Sequence, residues 1–272
     1  MDPAAVAEDG AGYVVITPGE VRRTRPEVIL THSPTPMPEF GSACRVRFGP
    51  SVDGQVMTVR EWFAARGRER FVWMVGPSTT PTDLERRLLD LGAEPNPGGS
   101  DHMAMVLDRE PPPSPAEIEL RRVETFADYA LMWEIRFGGF GMPDEERDAI
   151  RPTLCERWAA TADDLSRWSY LALVEGVPVA EGSVRSTVHG PLWLAGGVTL
   201  PSFRGRGIYR ALVRARWEDA VRLGARALVV YANVDTSYPI LERLGFRAVG
   251  RVRVLADRSA MLASHSSAPA AS

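Results

Sequence analysis

The sequence predicts an α/β (α+β) fold: a mixed, mostly antiparallel central sheet flanked by helices, preceded by a smaller N-terminal α/β domain. Three observations carry this. Apolar strand patterns alternate with amphipathic helical ones through most of the 272 residues. Residues 170–174, 177–187 and 192–200 are consecutive strand patterns joined by the turn signals Glu175-Gly176 and Gly190-Pro191, which make a meander. The third of these runs through Ser202-Phe203-Arg204-Gly205-Arg206-Gly207 into the helical spacing of residues 208–223: a strand, a tight glycine turn and a helix start.

In chain order, residues 1–12 are expected to be disordered, and a first domain covers residues 13–109. Its elements are short strands at 13–16 and 28–30, a Pro-rich passage at Pro34, Pro36 and Pro38, a helix at 56–65, a strand at 71–75, a helix at 81–91 and a strand at 102–107. Pro111, Pro112, Pro113 and Pro115 make residues 110–116 a semi-rigid extended linker. The second domain, residues 117–256, opens with a strand at 118–123 and a helix at 126–137 that Gly138, Gly139 and Gly141 break. Pro143 suits the first turn of a further helix reaching Trp158. After the glycine-turn helix come a strand at 227–231, a helix at 236–244 and a last strand at 247–255, and residues 257–272 read as a disordered tail.

Residues 71–75 and 80–93, a strand and a helix ending in Leu91-Gly92-Ala93, echo residues 227–231 and 236–246, which end in Leu244-Gly245-Phe246. Either the N-terminal region is a shortened, degenerate copy of the C-terminal one, or two strand–helix–strand units coincide.

Composition excludes several classes. All 32 basic residues are arginine against 35 acidic ones, a net charge of -3, so nothing draws the chain as a whole to nucleic acid or an anionic membrane. Without lysine, Schiff-base chemistry is excluded. Cys44 and Cys155 are far apart and in no metal-type spacing, which points to a reducing, cytoplasmic setting and to no metal site. No apolar stretch is long enough to span a bilayer.

The glycine turn carries the chemistry. A helix start leaves its first amide groups unpaired, with the positive end of the helix dipole behind them, and so forms an anion site suited to a diphosphate. Gly205 and Gly207 let the backbone approach such a ligand, and Arg204, Arg206 and Arg210 add positive charge. With the strand ending Val198-Thr199-Leu200 before it, this stretch resembles the GNAT acetyltransferase superfamily, whose Arg/Gln-x-x-Gly-x-Gly/Ala signature aligns with Arg204, Gly207 and Tyr209. The resemblance covers about the C-terminal half, and the order of elements there is that of the GNAT fold.

The resemblance implies a pyrophosphate of acetyl-CoA held by Arg204, Gly205, Arg206, Gly207, Ile208, Tyr209 and Arg210. It also implies a pantetheine arm along Val198, Thr199 and Leu200, where the strand splays from its neighbour; Gly196 and Gly197 suit a bulge there. Tyr209 stands where the family has a small residue. Asn233 either contacts the amide arm, as the family's asparagine does one position away, or caps the next helix.

The implied reaction is N-acylation of a small-molecule amine, and a homodimer is compatible with it. The position of the family's proton-donating tyrosine is Leu241, which cannot donate. Tyr238, one turn earlier, substitutes for it or merely packs at the surface. Glu181 shares a strand face with Val179, Ser183 and Arg185, and either lines the cleft as a base or pairs with Arg185. The opposing class is a catalytically weak or inactive acyl-CoA-binding regulatory protein. Around residues 137–142, Phe140 and Met142 form an expected apolar rim for the acceptor, while Asp144, Glu145 and Glu146 either attract an amine or simply start a helix.

Overall fold

The computed structural model describes residues 1–34, 41–115 and 117–259. The elements, in order, are α1 (Pro3–Glu8), α2 (Gly10–Tyr13), β1 (Val21–Thr24), β2 (Ile29–His32), β3 (Gly41–Cys44), α3 (Val52–Ala64), β4 (Arg70–Val75), α4 (Leu84–Asp90), β5 (Glu94–Pro95) and β6 (Asp101–Leu107). The second half adds β7 (Glu119–Arg122), α5 (Phe126–Phe140), α6 (Asp144–Ile150), α7 (Leu154–Thr161), β8 (Arg167–Val174), β9 (Val177–Ser186), β10 (Leu192–Thr199), α8 (Ile208–Arg222), β11 (Leu228–Asn233), α9 (Tyr238–Arg243) and β12 (Arg247–Arg258).

Among the described residues all twelve strands join one mixed, mostly antiparallel sheet in the order β1-β2-β3-β4-β12-β6-β11-β10-β9-β8-β7, with β5 on the edge of β12. The order is close to palindromic. In each half an antiparallel run leads to one parallel pair, β3 with β4 and β10 with β11. The last strand of each half crosses over: β6 pairs with β11 and β12 pairs with β4, while β6 and β12 pair with each other at the centre. The expected border at residues 110–116 therefore does not divide the sheet.

The helices cover both faces. α8 and α9 pack Val213, Ala220, Leu241 and Leu244 against Met105, Leu107, Leu192, Leu194, Leu228 and Val230. On the opposite face α5, α6 and α7 bury Met132, Trp133, Ile150 and Leu154 against Leu171, Leu173 and Val198. α5 continues through Gly138 and Gly139 and ends only at Gly141, in the left-handed region. Gly139 is needed because a Cβ there would lie 2.4 Å from Val198 Cγ2, so helix backbone rests directly on β10. Pro152 falls in a single 3-10 turn between α6 and α7, where a longer helix was expected.

Several expectations are corrected. Residues 1–12 are not disordered: Asp2 caps α1, and Val6 and Ala7 are buried against Ala104, Val106, Val229 and Val252. Tyr13 closes α2 rather than opening a strand, and only Val14 bridges to Thr187. β3, with the sequence Gly-Ser-Ala-Cys, and β1 are strands that the pattern did not announce. Residues 257 and 258 belong to β12 rather than to a tail, because Asp257 is buried and accepts from Arg60 Nε (3.0 Å) and Trp73 Nε1 (2.8 Å). The rest of the expected tail, residues 260–272, lies outside the described residues, as do Pro36 and Pro38.

Candidate functional site: an opening between two parallel strands

β10 and β11 pair only at Leu192↔Leu228 and Trp193↔Val229. Beyond Trp193 they part: β10 stays with β9 to Thr199, and β11 stays with β6 to Asn233. A bulge between Leu194 and Gly197, with Gly196 at φ 138, bends β10 away, and only glycine adopts that backbone without strain. Two side chains hold the opening from the α8 face. Tyr209 packs under the bulge, where a Cβ at Gly197 would lie 2.7 Å from its ring. Arg216, fully buried, donates from Nη1 to Gly196 O (3.0 Å) and Ser183 O (3.2 Å). Asp219 then pins α8 to β8 by accepting from Trp168 Nε1 (2.6 Å) and Tyr170 Oη (2.8 Å); burial and that carboxylate push the Tyr170 phenol up to about 12.

At the mouth of the opening the chain turns through Gly205 (φ 79) and Gly207 (φ 77) into α8, which has no side-chain cap. Among the described residues, none of the backbone amides from Gly205 to Arg210 donates to a protein acceptor. Such a run of donors at a helix start fits a diphosphate, which would satisfy them together. Arg206 lies over Phe203 at 5.2 Å, and Arg210 keeps a buried Nε without a partner; among the described residues neither has a carboxylate partner. Arg204 plays a different part, donating to Thr199 O (3.1 Å) and Gly139 O (3.0 Å) and so tying the loop to the end of α5. The linker is strapped along α8 through Arg214 to Pro111 O (3.1 Å), and Pro115 reaches Gly207, where a Cβ would meet it at 2.8 Å.

Of the residues expected along the pantetheine arm, Val198 and Thr199 are buried and Leu200 N is already paired with Val179 O (2.9 Å). Asn233 closes an Asx turn after β11, its Oδ1 accepting from Asp235 N (3.0 Å) and Thr236 Oγ1 (3.2 Å), whereas α9 begins at Tyr238 after Ser237 with no side-chain cap. Glu181 pairs with Arg136, not with Arg185. Its fully buried carboxylate receives Arg136 Nε at Oε1 (3.0 Å) and Nη2 at Oε2 (3.0 Å), and Ser183 Oγ donates to Oε2 at 3.3 Å. Arg185 binds Glu20 instead, at 2.6 and 3.1 Å. Tyr238 lies on the exposed side of α9, where its hydroxyl donates to Glu242 Oε1 (2.8 Å), a bond that raises the phenol above its ordinary value. Leu241 is core. Phe140 is exposed as a rim residue should be, but Met142 is buried in the α5 core.

Arg136 and Arg216 are the residues that sequence reasoning missed. Each is an arginine among apolar neighbours on the inner face of a helix, and that position was the available signal.

A mixed sheet that parts between two parallel strands at a glycine-rich helix start defines the class: this is a GNAT-type fold. Residues 129–246 match the acetyltransferase (GNAT) family, which places that family over the C-terminal half of the chain. Three solved structures share the fold. A GCN5-related N-acetyltransferase from Kribbella flavida aligns at 18% identity and TM-score 0.67 over 96% of this chain and 98% of that one. One from Sphaerobacter thermophilus aligns at 22% and 0.55 over 85% and 80%. A tandem GNAT protein from the clavulanic acid biosynthesis pathway aligns at 14% and 0.57 over 96% and 88%. No curated protein matches the chain. Among the described residues no helix is long and apolar enough to cross a membrane.

Proposed function

We propose that the C-terminal half binds acetyl-CoA in the opening between β10 and β11 and transfers the acetyl group to the amine of a small molecule. The run of unpaired amides from Gly205 to Arg210, at the mouth of that opening, carries this reading. Those amides, with Arg206 and Arg210, would hold the pyrophosphate, while Val198, Thr199 and Leu200 line the arm. Acetyl-CoA supplies the acyl group: the acceptor nitrogen forms the C–N bond as the C–S bond breaks, its proton passes to a base, and the thiolate is protonated. Glu181 is the candidate base, held in one orientation by Arg136 and Ser183. With Tyr238 engaged and Leu241 apolar, the departing thiolate takes its proton from water. Loss of a positioned acid slows such a reaction by about 10²–10⁴-fold, whereas orientation of the reactants is worth on the order of 7–11 kcal/mol.

The N-terminal half, in the same reading, is a degenerate copy, supported by the matching order β3-β4-β12 against β10-β11-β6. Action in the cytoplasm is supported by Cys44 and Cys155 both being free thiols. The engagement of both Tyr238 and Glu181 favours one second reading, an acyl-CoA-binding protein without turnover. Calorimetry with acetyl-CoA, followed by thiol release over a panel of amines, separates the two. Binding with turnover supports acyltransfer, binding without turnover the second reading, and no binding refutes both.

A further inference from the structure

The face of the sheet that carries Glu181 also carries more positive charge than the protein itself neutralises. Arg167 and Arg185 are direct cross-strand partners on β8 and β9, followed by Ser169 opposite Ser183 and Leu171 opposite Glu181, so all six side chains share one face. α5 and α7 add Arg136 and Arg157, whose guanidinium carbons lie 5.0 and 4.7 Å from the Trp133 ring.

Of these four arginines, Arg136 is matched by Glu181 and Arg185 by Glu20. Arg157 and Arg167 have no carboxylate or hydrogen-bonding partner for their guanidinium groups among the described residues, and burial lowers both below the ordinary arginine value. Asp164, the carboxylate nearest in sequence to Arg167, accepts instead from Ser166 N (2.9 Å) and Ser166 Oγ (2.6 Å). The orphaned buried atoms on the cluster's own side chains are donors, Trp133 Nε1, Arg157 Nη1 and Arg185 Nε, while Asp164 Oδ2, in the turn before β8, is a buried acceptor without a hydrogen-bond partner. Buried donors without partners, on two arginines that no carboxylate pairs among the described residues, describe the complement of an anion. The cluster also abuts the reaction site, since Arg136 Nη2 lies 3.2 Å from where a Cβ on Gly196 would stand, in the bulge that opens β10 from β11.

We propose that the acceptor is an anionic amine, whose carboxylate or phosphate is held by Arg157 and Arg167 between α5, α7 and β8. This rests on the acyltransfer reading and names the acceptor's chemistry. A planar guanidinium fork suits either anion, and an anion held on this face would leave the amine at its other end to reach toward Glu181.

The test compares matched acceptors with acetyl-CoA as donor: an α-amino acid against its methyl ester, and 2-aminoethyl phosphate against ethanolamine. In at least one pair the anionic member should exceed the neutral one in kcat/KM by about ten- to a hundredfold, the scale of one charged hydrogen-bond set, and the pair that shows it identifies the anion. Arg157→Gln and Arg167→Gln should shrink that ratio. Removing an unmatched buried cation should not lower Tm. Neutral members reacting as well as anionic ones, a ratio unchanged in both variants, or a fall in Tm that marks these arginines as structural would each overturn the proposal. If acetyl-CoA binds but no amine reacts, the acyltransfer reading has failed separately. Calorimetry with acetate and with inorganic phosphate then decides the anion site: binding lost in the double variant upholds it, and no binding, or binding that persists in that variant, removes it.

Discussion

The two halves of the sheet reach the same point and then diverge. In the N-terminal half β3 and β4 form two parallel pairs, Ser42↔Val72 and Ala43↔Trp73, as β10 and β11 do at Leu192 and Trp193. After β3, however, the chain is stitched to the segment beyond β4: Thr80 N donates to Val46 O (3.1 Å) and Phe48 N to Thr80 O (2.9 Å). Phe48 packs edge-on against Trp73 at 6.1 Å, within an apolar cluster that includes Phe63 and Phe71. In the C-terminal half β10 carries a glycine bulge, and among the described residues it is followed by a helix start with free amides and no such stitch. The opening is thus not a property of the shared connectivity. The residues beyond the first strand of each pair decide it: aromatic filler and backbone bonds in one half, glycines and an uncapped helix in the other.

Four sets of substitutions break or sharpen that contrast. The largest effect is expected from Trp73→Ala, which removes a fully buried ring and its bond to Asp257 and should cost about 3–5 kcal/mol in denaturant unfolding. Because β12 belongs to both halves, unfolding should remain one transition, and two transitions would show that the halves are independent. Next, Glu181→Gln leaves Arg136 buried and unmatched, at a cost of about 3 kcal/mol, and Glu181→Leu with Arg136→Met should recover most of it. If Glu181 is also the base, the rate falls by about 10²–10⁴-fold in Glu181→Gln, and a rate unchanged per folded molecule would remove it from the chemistry.

Third, Gly205→Asp places a carboxylate among the free amides where a Cβ meets no neighbour, although the left-handed backbone (φ 79) adds strain, and should weaken acetyl-CoA binding by about tenfold or more, roughly 1.4 kcal/mol. Gly49→Asp, at an equally open position before α3, should leave affinity unchanged; equal losses in calorimetry would erase the distinction between the halves. The last concerns Asp9 beside α1, which burial, with Glu8 adding, pushes from 3.8 up to about 6. The native state holds that proton more tightly than the unfolded chain. Its stabilising contribution is therefore complete below pH 3.8 and is lost as pH rises through about 6, on the order of 2 kcal/mol. Asp9→Asn should raise Tm at pH 7.5 and flatten the pH 4–6 slope, and an unaltered slope would assign it to another group.

Much of the C-terminal half was legible because its signals are local. The glycine turn, the meander and the helix from Ile208 are written in adjacent residues, and each strand there alternates or runs apolar. β3 was not legible, since Gly41, Ser42, Ala43 and Cys44 have no strand propensity and are strand only because β2 and β4 flank them. α1 failed for a similar reason: its two buried residues are small, and the sheet they cover lies far along the chain. The partner of Glu181 could not be read either, because Arg136 sits 45 residues away on a helix whose rotation only packing sets. Position on a strand face was available from sequence, while the choice between Arg136 and Arg185 was not.

The crossed pairing of β6 and β12 has a consequence for how the protein is made. Trp73 and its partner Asp257 are 184 residues apart, so β4 leaves the ribosome with an unpaired edge that nearly the whole remaining chain must be synthesised to cover. Truncation before β12 would strip the N-terminal half of a strand as surely as it shortens the C-terminal one. Neither half is a unit of inheritance that could be passed on, duplicated or lost alone without first rebuilding its own final strand.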